Sequence, residues 1–332
     1  MRSIIVADLH LSGYSNETLI DGIPEKLYYI MKTLYNITKY ATEQKISNII
    51  IAGDLMHTKA IIHSIAQSNL LDWIRTNKDI KFQIIDGNHD CSSKSGNGVS
   101  ALKCLDHEPN VDVFHETIAA EKFYFVPWHP DHMVNDIRKG PKNKILIGHL
   151  GVSEGKLNSG ISIVSDISLR DFSHYPICFL GHYHKPQELK NVVYVGSPAI
   201  LDFGEKDDIK RFIVFDDETS EWTSVPSVGY KKYIDYIVDE NTNIKELLEM
   251  ANKEKENGND VRILKTANVD LKQLEKNNFK IIDRQEVEYK PRGINSSMPL
   301  KDKMIKYLEI KDIPKDLIER YIEVGIEISN ME

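Results

Sequence analysis

The sequence predicts an α/β fold in which helices cover layered sheets, followed by a small α+β unit and a C-terminal pair of helices. Three observations carry that prediction. Short β-branched runs alternate with helix-like stretches through the first two thirds of the chain; the runs are apolar at consecutive positions, as strands covered on both faces must be; and the composition shifts near Gly229. In order, strands are expected at Ile4–Ala7, Ile49–Ala52, Phe82–Ile85, Lys122–Val126, Ile145–Ile147, Ile177–Leu180, Val192–Val195 and Phe212–Phe215, with helices at about 24–44, 61–76 and 98–106. Hairpin-like strands after residue 190 predict mixed pairing, and no internal repeat is visible.

Beyond Gly229 charged side chains become denser: residues 1–229 carry 23 basic and 29 acidic, residues 230–332 carry 19 and 21. The second unit, residues 230–290, reads strand (Lys232–Val238), helix (Ile244–Lys255, with Asn243 or Thr242 as N-cap and Gly258 as stop), strand (Val261–Ala267), short helix (Leu271–Asn277) and strand (Phe279–Glu288). Residues 291–332 open on the turn-rich linker Pro291–Pro299. Two amphipathic helices come next, Leu300–Leu308 and Lys315–Ile328, separated at Pro314. So short a segment cannot bury two apolar stripes by itself; the helices either fold back on the main body or dock on another protein.

At 332 residues the chain exceeds the roughly 250–300 at which single cores stop growing, which also favours a large domain with appendages. The longest apolar runs, such as Ile49–Ala52, fall far short of the ~20 residues needed to cross a bilayer. A strand begins at Ser3 with no leader ahead of it, and Cys91, Cys104 and Cys178 form no CxxC pair or disulfide framework. A cytoplasmic protein with no membrane contact is the expectation. The net charge of −8 argues against a simple basic clamp around nucleic acid.

Five short motifs share one placement, each in the turn after an apolar strand: Asp8-Leu-His10, Gly53-Asp54-Leu-Met-His57, Gly87-Asn88-His89-Asp90, Gly148-His149 and Gly181-His182-Tyr-His184. Ligands of open α/β folds bind outside the carboxyl ends of strands, so loops from that edge can converge on one point. A donor set of Asp, Asn and His suits manganese, iron or zinc and is too rich in nitrogen for magnesium or calcium alone. A lone Asp-x-His is a weak signal, because a histidine after a strand often bonds only a nearby carbonyl. Five such motifs in this order are not weak.

These residues resemble the calcineurin-like metallophosphoesterase superfamily, whose pattern runs D-x-H, G-D, G-N-H-D/E, G-H and G-H-x-H; the match covers residues 1–200. The resemblance implies a four-layer fold of two mixed sheets flanked by helices. It also implies two divalent metal ions, with manganese the leading choice and magnesium, iron or zinc the alternatives. Asp8, His10, Asp54 and His184 would hold one ion and Asp54, Asn88, His149 and His182 the other, with Asp54 bridging. His89 matches a histidine that donates a proton to the leaving oxygen, and Asp90 would orient it.

His57 and the stretch Gly196-Ser-Pro-Ala-Ile-Leu-Asp202-Phe-Gly-Glu205 narrow the resemblance to the DNA double-strand-break repair nucleases of the SbcD and meiotic-recombination-eleven family. In that family a histidine at the position of His57 contacts the scissile phosphate. The order of domains agrees as well: a nuclease domain (1–229), a capping domain that recognises DNA (230–290), and C-terminal helices that dock on an SMC-like coiled-coil ATPase (here residues 300–329). The compact length resembles the bacteriophage members most. The narrower resemblance implies a double-strand 3′→5′ exonuclease and single-strand endonuclease acting on DNA ends in recombination, repair and replication. It would be a homodimer through the amphipathic helix near 61–76, although that stripe by pattern alone reads as core. The ATPase would be a separate chain, since no GxxxxGK[ST] loop occurs here. A phosphatase or cyclic-nucleotide phosphodiesterase with the same metal core is the rival reading, and a non-catalytic scaffold the third.

Overall fold

The computed structural model describes all residues except 14–17, 58–60, 93–97, 158–159, 161–164, 268, 270, 285–298, 311–313, 315–316 and 323–332. The chain runs β1 (Arg2–Val6), β2 (Leu19–Ile20), β3 (Ile23–Pro24), α1 (Glu25–Glu43), β4 (Asn48–Ala52), α2 (Ser64–Thr76), β5 (Lys81–Ile85), β6 (Val111–Phe114), β7 (Ile118–Ala120) and β8 (Phe123–Val126). It continues with α3 (Met133–Lys139), β9 (Ile145–His149), β10 (Cys178–Gly181), β11 (Gln187–Leu189), β12 (Val192–Tyr194), β13 (Arg211–Asp216) and β14 (Glu221–Pro226). Two six-stranded sheets form, in the orders β14-β13-β1-β4-β5-β6 and β11-β12-β10-β9-β8-β7. Both are mixed, as expected. In the first, β1, β4, β5 and β6 are parallel and β13 returns antiparallel; in the second, β8, β9, β10 and β12 are parallel with antiparallel strands at each edge.

The continuous apolar runs arise from coverage on both faces. Ile4, Val6, Ile49 and Ile51 point into a cluster with Leu27, Ile30 and Leu34 of α1 and Leu70 and Trp73 of α2. Their neighbours Ile5, Ile50 and Ala52 point the other way, into a cluster with Phe125, Ile147, Phe179 and Val193 of the second sheet. That sheet turns Leu146, Leu180 and Tyr194 to a third cluster with Met133 and Ile137 of α3. The period-2 alternation of strands thus builds helix, sheet, sheet and helix layers. Burying each large aliphatic or aromatic side chain contributes roughly 1.5–3 kcal/mol.

Some expected elements differ. The helix expected at 98–106 is a short 3₁₀ turn, Ala101–Leu105, whose start is capped by the Ser100 hydroxyl accepting from the Leu102 amide. The helix expected from residue 61 begins at Ser64, because His63 is still extended. Its stripe is divided: Ala66, Leu70, Trp73 and Ile74 are core residues, while Ile61 and Ile62 precede the helix and are exposed.

The chain separates into two compact units, Met1–Ile234 with Glu249–Val261, and Asp235–Leu248 with Arg262–Glu332. The remaining elements are β15 (Tyr233–Val238), α4 (Ile244–Glu256), β16 (Asp260–Lys265), α5 (Lys272–Lys276), β17 (Lys280–Asp283) and α6 (Leu300–Ile310). β15, β16 and β17 form a three-stranded sheet in that order. Within the second unit Arg262 clamps Asp235 through two hydrogen bonds, of 2.6 and 2.7 Å. Asn243 caps α4, its side chain accepting from the Lys245 amide at 3.2 Å. Residues 291–298 of the linker and the outer parts of the last expected helix fall outside the described residues; residues 317–322 are helical.

Candidate metal centre

The parallel strands β1, β4 and β5 end on one edge of the first sheet, β9 and β10 on one edge of the second, and the five sequence motifs sit at those ends. The loops are knitted by main-chain bonds: Asp8 N–H donates to the Gly53 carbonyl at 3.1 Å, His10 N–H to the Asp54 carbonyl at 3.0 Å, and His57 N–H to the Leu11 carbonyl at 3.0 Å. Asp8, His10, Asp54 and His182 all take positive φ, between 49° and 100°. Non-glycine residues rarely adopt such values, and the strain turns each side chain off its strand axis into the site. Gly181 permits the sheets to meet here, since a Cβ would overlap the Ala52 carbonyl oxygen and come within 2.7 Å of His149 Nδ1.

All seven expected ligands converge. His10 Nε2 and His184 Nε2 face each other at 3.0 Å. Asp54 Oδ2 lies 3.5 Å from His10 Nε2 and 3.3 Å from His149 Nε2, between the two groups. Asn88 Oδ1 lies 3.1 Å from both His149 Nε2 and His182 Nδ1. Two groups of donors, Asp8 with His10 and His184, and Asp8 with Asp54 and His149, each lie within 4.8 Å of one another. Asp8 therefore reaches both groups. The donor chemistry, imidazole nitrogen with carboxylate and amide oxygen around two adjacent points, fits a pair of divalent transition ions.

His57 and His89 stand beside His10, forming a third group of imidazole nitrogens within 4.8 Å. The two rings are stacked with centroids 5.8 Å apart. The expectation that Asp90 orients His89 is corrected. Its Oδ1 accepts from the Met56 amide at 2.8 Å, and its Oδ2 from Gly87 at 2.8 Å and Leu55 at 3.3 Å, so it ties two motif loops together. The His89 ring is held instead by the His57 carbonyl, 2.6 Å from Nδ1.

The electrostatics separate the histidines. Burial pushes His10 well below its ordinary pKa and brings His57 and His182 down to about 4, with neighbouring imidazoles adding to the effect. Burial opposes ionisation of Asp54, but His149, His10 and the His89 amide outweigh it and hold this carboxyl far below the usual range. His149 resists its burial through Asp54 and Asp8 and rises to about 9. His184 is raised too, its burial outweighed by Glu205 and Asp8. Neutral His10 and His182 offer lone pairs at pH 7. His149, raised to about 9, would release a proton to a dication.

Several features of the site lay outside the motif pattern. His149 donates Nδ1–H to the Ala52 carbonyl at 2.9 Å, which aims Nε2 inward. His184 Nδ1 is 2.6 Å from Glu205 Oε1, and Glu205 is held by Lys210, whose side chain is fully buried. Glu205 belongs to a stretch the sequence singles out, but nothing in it assigns the residue this partner. Lys210 comes shortly after two aspartates and reads as surface.

The family described as calcineurin-like phosphoesterase matches residues 1–186. Exonuclease subunit 1 of Enterobacteria phage T4 is 24% identical over 238 residues, covering 68% of this chain and 68% of that protein. Among solved structures, the Pseudomonas putida nuclease MPE is matched at 16% identity and a TM-score of 0.31, over 67% of this chain and 87% of that one. An archaeal phosphodiesterase is matched at 10% identity and a TM-score of 0.36, over 69% and 100%. The family match spans more than half of the chain and carries all five motifs, so the chain belongs to the calcineurin-like phosphoesterase family and is a metal-dependent hydrolase of phosphoesters.

Proposed function

We propose that this chain is the nuclease subunit of an ATPase–nuclease complex that processes DNA ends. The observation that carries the reading is the convergence of Asp8, His10, Asp54, Asn88, His149, His182 and His184 with His57 and His89 beside them. The likeness to an exonuclease subunit across two thirds of both chains supports DNA as the substrate. Asp8, His10 and His184 would hold one ion, and Asp54, Asn88, His149 and His182 the other, with Asp54 between them. Two divalent ions, manganese by preference, supply positive charge for the scissile phosphate and a nucleophile at neutral pH. His89, its Nδ1–H donating to the His57 carbonyl, leaves Nε2 facing the site, and as an imidazolium it would give the Nε2 proton to the leaving oxygen and return to the neutral ring. His57, uncharged at neutral pH, would hydrogen-bond the phosphate.

In this reading residues 1–229 form the nuclease domain, 230–290 cap the DNA, and 300–329 dock on the coiled coil of a separate SMC-like ATPase. An apolar groove of about 420 Å³ lined by Met304, Tyr307, Leu308 and Tyr321 supports that last assignment. A two-fold contact near α2 would use the exposed Ile61 and Ile62. The test compares manganese-dependent turnover of a linear duplex with that of bis-p-nitrophenyl phosphate, with and without the ATPase. Degradation of the duplex supports the reading; robust cleavage of the small ester with an intact duplex, even with the partner present, makes the protein a small-phosphodiester hydrolase.

A further inference from the structure

The stretch from Gly196 to Lys210 builds a buried charge relay behind one of the two donor groups. Glu205, Lys210 and Ser197 are 4%, 1% and 0% exposed. Glu205 Oε2 accepts from Lys210 Nζ at 2.7 Å and the Leu201 amide at 3.0 Å, and the Ser197 hydroxyl, whose nearer acceptor is the Ala199 carbonyl at 3.0 Å, lies 3.4 Å from it. Oε1 is left for the His184 ring at 2.6 Å. Lys210 Nζ also donates to Ser197 Oγ at 2.8 Å and to the His184 carbonyl at 3.4 Å, so both the ring and the backbone of His184 are gripped. Taking a carboxylate and an ammonium out of water is costly, and apolar residues of similar volume would pack there more cheaply. The arrangement is not repeated at the other donor group, where the acceptor behind His149 is the neutral Ala52 carbonyl.

We propose that Glu205, clamped by Lys210 and Ser197, is the positioning residue that fixes His184 with its proton on Nδ1 and its lone pair on Nε2, and that it makes the Asp8–His10–His184 position the tighter of two unequal metal positions. The inference rests on the proposed reading of the site as a two-metal centre. A carboxylate behind a ligating imidazole fixes its tautomer and raises its basicity, and loss of such a partner weakens metal affinity about 10–100-fold. A carbonyl fixes orientation with less effect on basicity.

The test is titration of the full chain with Mn²⁺, bound equivalents being read from the EPR signal of free Mn²⁺, for wild type and two charge-balanced variants. E205Q/K210M keeps an acceptor for His184 without charge; E205L/K210M removes it. Wild type should bind two equivalents. Each variant should retain one with unchanged affinity and bind the other more weakly, the leucine variant by about 10–100-fold and the glutamine variant by less. Two equivalents at wild-type affinity in both folded variants overturn the proposal; fewer than two in wild type overturns the two-metal reading instead. A purely structural role would weaken both equivalents together. Independently of how the variants fold, ¹⁵N-histidine NMR of the wild-type chain loaded with Zn²⁺ should show His184 protonated on Nδ1, and protonation on Nε2 would sink the assignment.

Discussion

His89 and Asp90 are adjacent, yet one faces the reacting centre and the other faces the backbone that builds it. His89→Ala should lower turnover about 10²–10⁴-fold while two metal equivalents remain bound; metal content measured alongside activity checks this, and a parallel fall in both would make His89 a ligand. A second prediction concerns His115, whose Nδ1 lies 2.6 Å from Asp86 Oδ2 and whose Nε2 lies 3.0 Å from Asp106 Oδ1. The Asp86 bond, aided by Asp106 and opposed by burial, raises its pKa from 6.5 to about 9. Because the folded value is the higher one, protonated His115 stabilises the fold fully below pH 6.5, and this contribution is lost as pH rises through about 9. The ring is 27% exposed, so on the order of 2 kcal/mol is at stake. The stability difference between wild type and H115Q, measured by denaturation across pH, should be constant at low pH and shrink between 6.5 and 9; a difference that persists to pH 10 contradicts it. The seven donors are legible in the sequence because each comes after a strand in a recognisable motif. The amide cradle of Asp90 and the burial of Lys210 are not, since both are set by segments distant in the chain.

The elements carry the site through their ends. Phe179 lies in the layer between the sheets, 5.2 Å from the Phe215 ring, and β10 ends two residues later at Gly181. Phe179→Ala should therefore cost about 3–5 kcal/mol of stability and weaken metal binding as β10 loosens; chemical denaturation and metal titration of the same variant test the two halves. Gly181→Ala puts a methyl group onto the Ala52 carbonyl, so the sheets must separate at the centre. Loss of metal binding is expected even where the variant folds, and unchanged binding would show that the seam can yield. The doubly covered strands are readable from sequence because they are apolar at consecutive positions, and α1 because its burial is periodic. α3 and β7 escape: seven and three residues are too short for a period to declare itself. The start of α2 is misplaced for a related reason. Ile61 and Ile62 extend the apolar stripe, but the backbone turns helical only after His63.

At the scale of the whole molecule the centre joins the two sheets, each donor group drawing on both: Asp8, His10, Asp54 and Asn88 come from the first sheet, His149, His182 and His184 from the second. Bound ions should hold the sandwich together. Manganese at 100 times its Kd should stabilise the fold by about 2.7 kcal/mol, seen as a higher Tm that reverts on chelation; a Tm indifferent to saturating manganese would place the ions elsewhere. The net charge of −8 leads to a related expectation. The isolated, chelator-treated chain should bind duplex DNA poorly at physiological salt, and manganese should restore binding; tight binding without metal would reveal a basic surface the charge balance does not suggest. The division between sheets also sets an order of events during synthesis. His10 meets His184 across 174 residues, and Asn88 meets His149 across 61. A ribosome that has released the first sheet's four donors has released only part of each donor group, so neither group is complete until the end of β9 and the residues after β10 emerge. The first sheet closes later still, because β13, which pairs with β1, comes after Glu205 in the chain, so the centre and the sandwich around it are completed together.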